Sequence, residues 1–177
     1  MAATVIINRL TGAGPSLTAI TTINTRCNAE DAHSVAGTTN PITVPTSGTN
    51  YSYWCVTRLQ CTVAPTTLIN NLKWYTDGTN SFGTGVTLSV GTATGYTQAS
   101  GTAGTTGIVL SAGNYATWTL GNANAFTYTS ASPLSVTGST STAVEFGDRV
   151  VFQFNIATTA APGATPQENL NWRWDES

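Results

Sequence analysis

The stretch Arg149-Val150-Val151-Phe152-Gln153-Phe154-Asn155-Ile156 decides the fold class. Val150, Phe152, Phe154 and Ile156 recur at every second position, so an extended chain puts them on one side and Gln153 and Asn155 on the other. A helix would scatter the four around its circumference. The run predicts a strand with one apolar face in a core and one polar face toward solvent, entered through the turn pair Gly147-Asp148. The same period recurs on either side. Asn169-Leu170-Asn171-Trp172-Arg173-Trp174 sends Leu170, Trp172 and Trp174 one way and Asn171 and Arg173 the other, and Leu68-Ile69-Asn70-Asn71-Leu72-Lys73-Trp74-Tyr75 places Leu72 and Trp74 together. Residues 51–63 predict one long strand, bent or bulged, with Trp54 and Val56 opposed to Tyr53 and Cys55. Residues 3–10, 17–24, 85–90, 107–110, 115–120, 125–129 and 134–137 complete a set of about ten or eleven strands.

Between these runs lie Asp77-Gly78, Gly113-Asn114 and Gly121-Asn122, residue types that supply the positive φ of tight turns. Only residues 28–34 could form a turn or two of helix, so the crossover helices of a parallel α/β sheet are missing. Short strands separated by frequent turn signals predict an all-β chain, a single antiparallel β-sandwich, jelly-roll-like, over residues 1–177. Two stretches are too poor in large apolar residues to pack a core of their own. Residues 25–49, with Pro41 and Pro45, read as a long loop or arm, and residues 91–107, built around Tyr96, as an exposed hairpin or loop. One or the other is expected to reach a neighbouring subunit or a larger shell.

Composition narrows the function. The chain holds 35 Thr and a single Lys, and its six basic against eight acidic residues give a net charge of −2. Nucleic-acid binding driven by counterion release needs a basic surplus that this chain lacks. Residues 2–9 show no basic start followed by an apolar core of the kind a secretory signal carries, and no apolar run is long enough to span a bilayer. No nucleic-acid or membrane partner is therefore expected. Cys27, Cys55 and Cys61 are expected to be buried free thiols of a reducing compartment; Cys55 and Cys61, on one strand, are too far apart to pair with each other.

Residues for chemistry are sparse. His33, beside Glu30 and Asp31, is the only histidine, and no G-x-S-x-G elbow is present. Glu145, Asp148 and Glu168 are the candidates for a carboxylate pair, and Asp77-Gly78-Thr79-Asn80 has oxygen ligands but lacks the calcium-loop pattern. A turn explains the latter, and chance explains the former. The expectation is a non-enzymatic protein with no cofactor and no metal. The aromatics admit one binding reading: Trp74, Trp172 and Trp174, exposed in a row, would form the platform with which carbohydrate-binding modules hold sugars. Core packing is the competing use of the same spacing.

The runs Leu72-Lys73-Trp74-Tyr75-Thr76-Asp77-Gly78-Thr79-Asn80 and Gly85-Val86-Thr87-Leu88-Ser89-Val90-Gly91-Thr92-Ala93, and the ending Asn171-Trp172-Arg173-Trp174-Asp175-Glu176, resemble small virion surface proteins of tailed bacteriophages. The resemblance covers roughly residues 50–177. It implies a capsid decoration (cement) protein or a related head, tail or fibre component. Such a protein would be assembled in the host cytoplasm and carried on the virion as a homo-oligomer. It would bind the major capsid protein or other virion subunits and tie neighbouring capsomers. It brings no catalytic residues.

Overall fold

In the computed structural model, residues 2–34, 39–118 and 123–177 are described. They form twelve strands: β1 (Thr4–Thr11), β2 (Ser16–Ala19), β3 (Thr49–Tyr51), β4 (Cys55–Val63), β5 (Ile69–Tyr75), β6 (Val86–Ala93), β7 (Gly101–Thr102), β8 (Thr106–Gly107), β9 (Ala123–Asn124), β10 (Leu134–Ser135), β11 (Glu145–Ala157) and β12 (Asn171–Glu176). One sheet runs β2-β1-β4-β11-β6-β9, with β3 also paired to β11; a second runs β10-β5-β12; β7 and β8 form a hairpin. Every strand pairing in the three sheets is antiparallel. The chain is an all-β sandwich.

The stretch that announced the fold lies at its centre. β11 pairs with β4 along one edge and with β6 along the other, from Arg149↔Ala93 to Ile156↔Val86. Its Val150, Phe152 and Ile156 pack into the core between the sheets, together with Leu59 of β4, Leu72 and Trp74 of β5 and Leu88 and Val90 of β6. The opposite face was expected to meet water and does not. Val151 belongs to a second core with Leu10, Trp54, Val56 and Tyr115, and Gln153 is 0% exposed. A central strand of a large sheet covered on both sides must bury both faces, whatever its alternation suggests.

The cover on that second side comes from the stretches read as arm and hairpin. Residues 25–34 and 39–48 contain neither helix nor strand, but they are laid against the chain's own body. Asn28 O accepts from Tyr53 N at 2.9 Å, Ala29 O from Gly104 N at 3.0 Å and Thr105 O from Thr43 N at 3.0 Å. A disulfide joins Cys27 to Cys55, with Cα atoms 6.3 Å apart, so the expectation of three free thiols is corrected: only Cys61 is free, and it is buried. The β7–β8 hairpin approaches so closely that a Cβ on Gly107 would lie 2.2 Å from Ser52 O.

Other expected strands are shorter or absent. Residues 17–24 are strand only to Ala19; residues 107–110 keep only the end of β8; residues 51–63 are interrupted between Tyr51 and Cys55. Trp118 makes a single bridge to Ala93, and residues 119–120 lie outside the described residues. Ala125–Thr127 is a turn of 3-10 helix because Asn124 caps it, Oδ1 accepting from Phe126 N at 3.1 Å. Residues 28–34 form bends without a helix.

A bulge fixes how the sheets stack. The register of β11 against β4 shifts between Phe146 and Val150, and within the shift Asp148 N donates across the sandwich to Thr137 O at 2.7 Å. Thr137 follows β10, so this bond clamps the small sheet over one end of the large one. Three strands cannot cover seven. At the other end of β11 the inner face of the large sheet is left for loops to cover.

Candidate functional site, an apolar groove between the sheets

That uncovered end is a groove of about 1270 Å³. Its floor is the inner face of the large sheet: Ile7 of β1, Thr57 of β4, Phe152, Phe154 and Ile156 of β11, and Val86 and Leu88 of β6. Trp74 and Trp172, cross-strand partners on β5 and β12, close it from the small sheet. Residues 20–28, 41–44 and 160–170 form the walls. Ile7, Ile42, Val44, Phe154, Leu170 and Trp172 pack on the core but are only half-buried, so their free sides line the opening. Phe154 is held by Phe82, edge to face at 4.6 Å, and Phe82 in turn meets Phe126 at 5.8 Å. The exposed residues Thr21, Thr22, Asn24 and Thr43 make a polar rim.

The three tryptophans named from the sequence do not form an exposed row. Trp74 is 1% exposed in the core, and Trp172 and Trp174 are half-buried against the same core. The sugar platform is therefore corrected: alternation on β5 and β12 turns all three indoles inward, where Trp74 and Trp172 line the groove and Trp174 packs on the core. The outer face of the small sheet carries Lys73, whose Nζ donates to Ser135 Oγ at 2.8 Å, and Arg173, whose guanidinium lies 5.9 Å from the centre of the Tyr75 ring.

The candidates for chemistry lie apart. Glu168 is on the groove wall, and its Oε1 accepts from Ser81 N at 2.7 Å. Glu145 and Asp148 stand at the bulge, the far end of β11, so no carboxylate pair spans the groove. Glu145 Oε2 is 3.8 Å from Arg58 Nη1, and burial raises the Asp148 carboxyl against the opposing pull of Arg149 and Arg58. The Asp77 turn is an Asx turn, with Oδ1 accepting from Thr79 N at 2.8 Å, and Asn80 Nδ2 donates to Val86 O. Among the described residues, no group of three or more His, Cys, Asp and Glu side chains could hold a metal.

His33 belongs to a polar cluster that holds the wall of the groove in place. Arg9, 1% exposed, donates from Nη1 to Thr25 Oγ1 at 2.7 Å and to Arg26 O at 2.5 Å. Burial pushes its guanidinium down to about 10, and Asp31 and Glu30 oppose the fall, so it stays charged at neutral pH. His33 Nδ1 lies 3.2 Å from the Thr25 hydroxyl; burial and then the Arg9 charge lower its pKa from 6.5. Asp31 Oδ2 accepts from Gly12 N at 2.9 Å and Glu30 Oε2 from Asn40 Nδ2 at 2.8 Å. Both acids thus fasten loops. Comparison with protein-family models, with curated proteins and with solved structures returns no match.

Proposed function

We propose that this chain is a non-enzymatic structural protein of a virus particle, a capsid decoration protein that binds the outer shell as a homo-oligomer and ties neighbouring capsomers. The observation that carries the binding half of this reading is the groove. Its apolar centre of half-buried Ile7, Phe154, Leu170 and Trp172 within a Thr- and Asn-bearing rim has the anatomy of a protein interface. Apolar side chains of a shell subunit would fill it. The resemblance of residues 72–80, 85–93 and 171–176 to phage virion surface proteins favours the particle as its setting. The Cys27–Cys55 disulfide fits a protein displayed outside the cell, since disulfides persist on virion surfaces and are rare in a reducing cytoplasm. On this reading the bond closes after the particle, assembled in the host cytoplasm, is released.

The test is binding to shells prepared without this protein. The wild-type chain binds them in a fixed ratio. Leu170→Asp, which puts a charge into the groove from a half-buried position, loses binding while keeping the wild-type circular dichroism spectrum. Equal binding by the folded Leu170→Asp variant removes the groove from the account, and no binding by the wild type removes the shell.

A further inference from the structure

β12 is an edge. Among the described residues it pairs with β5 alone, so the backbone groups of every second residue along its other side face no strand. Its exposed residues are Arg173, Asp175 and Glu176; Arg173 and Asp175 lie two residues apart on the outer face, with Trp172 and Trp174 turned inward between and beside them, and Glu176 Oε1 accepts from Ala3 N at 2.7 Å. Proteins often blunt an edge with charged side chains, lysine above all, which disfavour pairing with a second copy. The outer face of this edge carries one of each sign, Arg173 and Asp175. Arg173 also stands directly opposite Lys73 on β5, a like-charge pair that destabilises a sheet. A carboxylate on the vacant side of Arg173 would offset that repulsion.

The strand itself can supply it. A two-fold axis perpendicular to the sheet pairs residues of equal parity, because it keeps inner and outer faces aligned. An axis through Arg173 would set the two Arg173 side chains against each other, and one through Asp175 would do the same to the acids. An axis through Trp174 sets Arg173 of each copy opposite Asp175 of the other and overlaps β12 over residues 172–176. β12 continues without interruption through this stretch; the irregularity between Arg173 and Asp175 is taken up on β5, where Asn71 and Leu72 oppose Trp174 alone and Asn71 has a φ of 53°.

We propose that two copies of this chain pair antiparallel through the free edges of β12, with the two-fold axis at Trp174 and reciprocal Arg173–Asp175 ion pairs, joining the two small sheets into one of six strands. This specifies the interface of the homo-oligomer proposed above and rests on that reading only for its role in the particle.

Sedimentation of the full chain in low salt, followed to near-millimolar concentration, reads the outcome. The wild type forms a dimer of twice 18.4 kDa that weakens as salt is added. Arg173→Asp and Asp175→Arg, each placing like charges across the axis, are folded monomers by circular dichroism and sedimentation. The double exchange, R173D with D175R, restores the dimer. A wild type that stays monomeric, single variants that dimerise as it does, or a double exchange that stays monomeric each overturns the proposal. Shell binding is measured separately, so its failure leaves a dimer intact and a failed dimer leaves shell binding to be judged alone.

Discussion

Replacing Gln153 with Met tests the least expected feature of the core. Gln153 is fully buried at the centre of β11, and all its bonds go to backbone. Nε2 donates to Ser52 O at 2.7 Å and to Ile108 O at 2.8 Å, and Oε1 accepts from Leu110 N at 2.6 Å. The side chain thus stitches the large sheet to the layer that covers it. Methionine keeps the length of the chain and removes all three bonds. At about 1 kcal/mol for each bond, and up to about 2 for each buried group left stranded, the loss is about 3–6 kcal/mol. Burying an apolar side chain in place of the amide returns about 1–2 kcal/mol. The net cost is about 3 kcal/mol, a large part of the about 5–15 kcal/mol that holds a domain together. With a urea slope near 2 kcal/mol/M, the midpoint falls by about 1.5 M. Amide exchange at Leu110 should quicken alongside. A loss below about 1 kcal/mol, with Leu110 still protected, would refute the claim that this glutamine joins the layers.

Reducing the Cys27–Cys55 bond, which closes a loop across a sequence separation of 28, should lower stability by about 3.5 kcal/mol, read as a drop in Tm with added reductant; an unchanged Tm would mean the bond contributes nothing. Gly138→Ala should cost more than about 3 kcal/mol, because Gly138 has a φ of 141° and a Cβ there would sit 2.2 Å from Gly147 Cα at the bulge that clamps the sheets; urea unfolding checks it. His33 titrates lower in the fold than in the unfolded chain, so below pH 6.5 the unfolded chain binds the proton first and stability falls with pH. His33→Gln should flatten that part of the stability–pH curve, and an unaltered slope would place the titration elsewhere.

The all-β class was legible because alternation is a local property: Phe152, Leu72 and Trp74 occupy the core that their period assigns them. Local pattern cannot report how many sides of a strand are covered, which is why Gln153 read as solvent-facing. It also cannot distinguish a short apolar run from a capped turn: Ala125–Thr127 has the residues of a strand, and the cap at Asn124 makes it a turn of 3-10 helix. The pairing of Cys27 with Cys55 depends on where a featureless loop is laid, and nothing in the spacing announces it. The groove is a mismatch between a seven-stranded and a three-stranded sheet, visible only once the strands are assigned to sheets. Its lining residues, Ile7, Ile42, Phe154 and Leu170, carried the ordinary marks of core residues. Arg173 and Asp175 are plain in the sequence, but their self-complementarity emerges only once β12 is found to have a free side among the described residues.

The direct test of the central claim is a cryo-EM reconstruction of the particles produced with this protein, with its copy number counted against the shell subunit. The account predicts the sandwich on the outer surface of the head, in symmetric copies, with the groove against a shell subunit. Purified particles that lack the chain would contradict it.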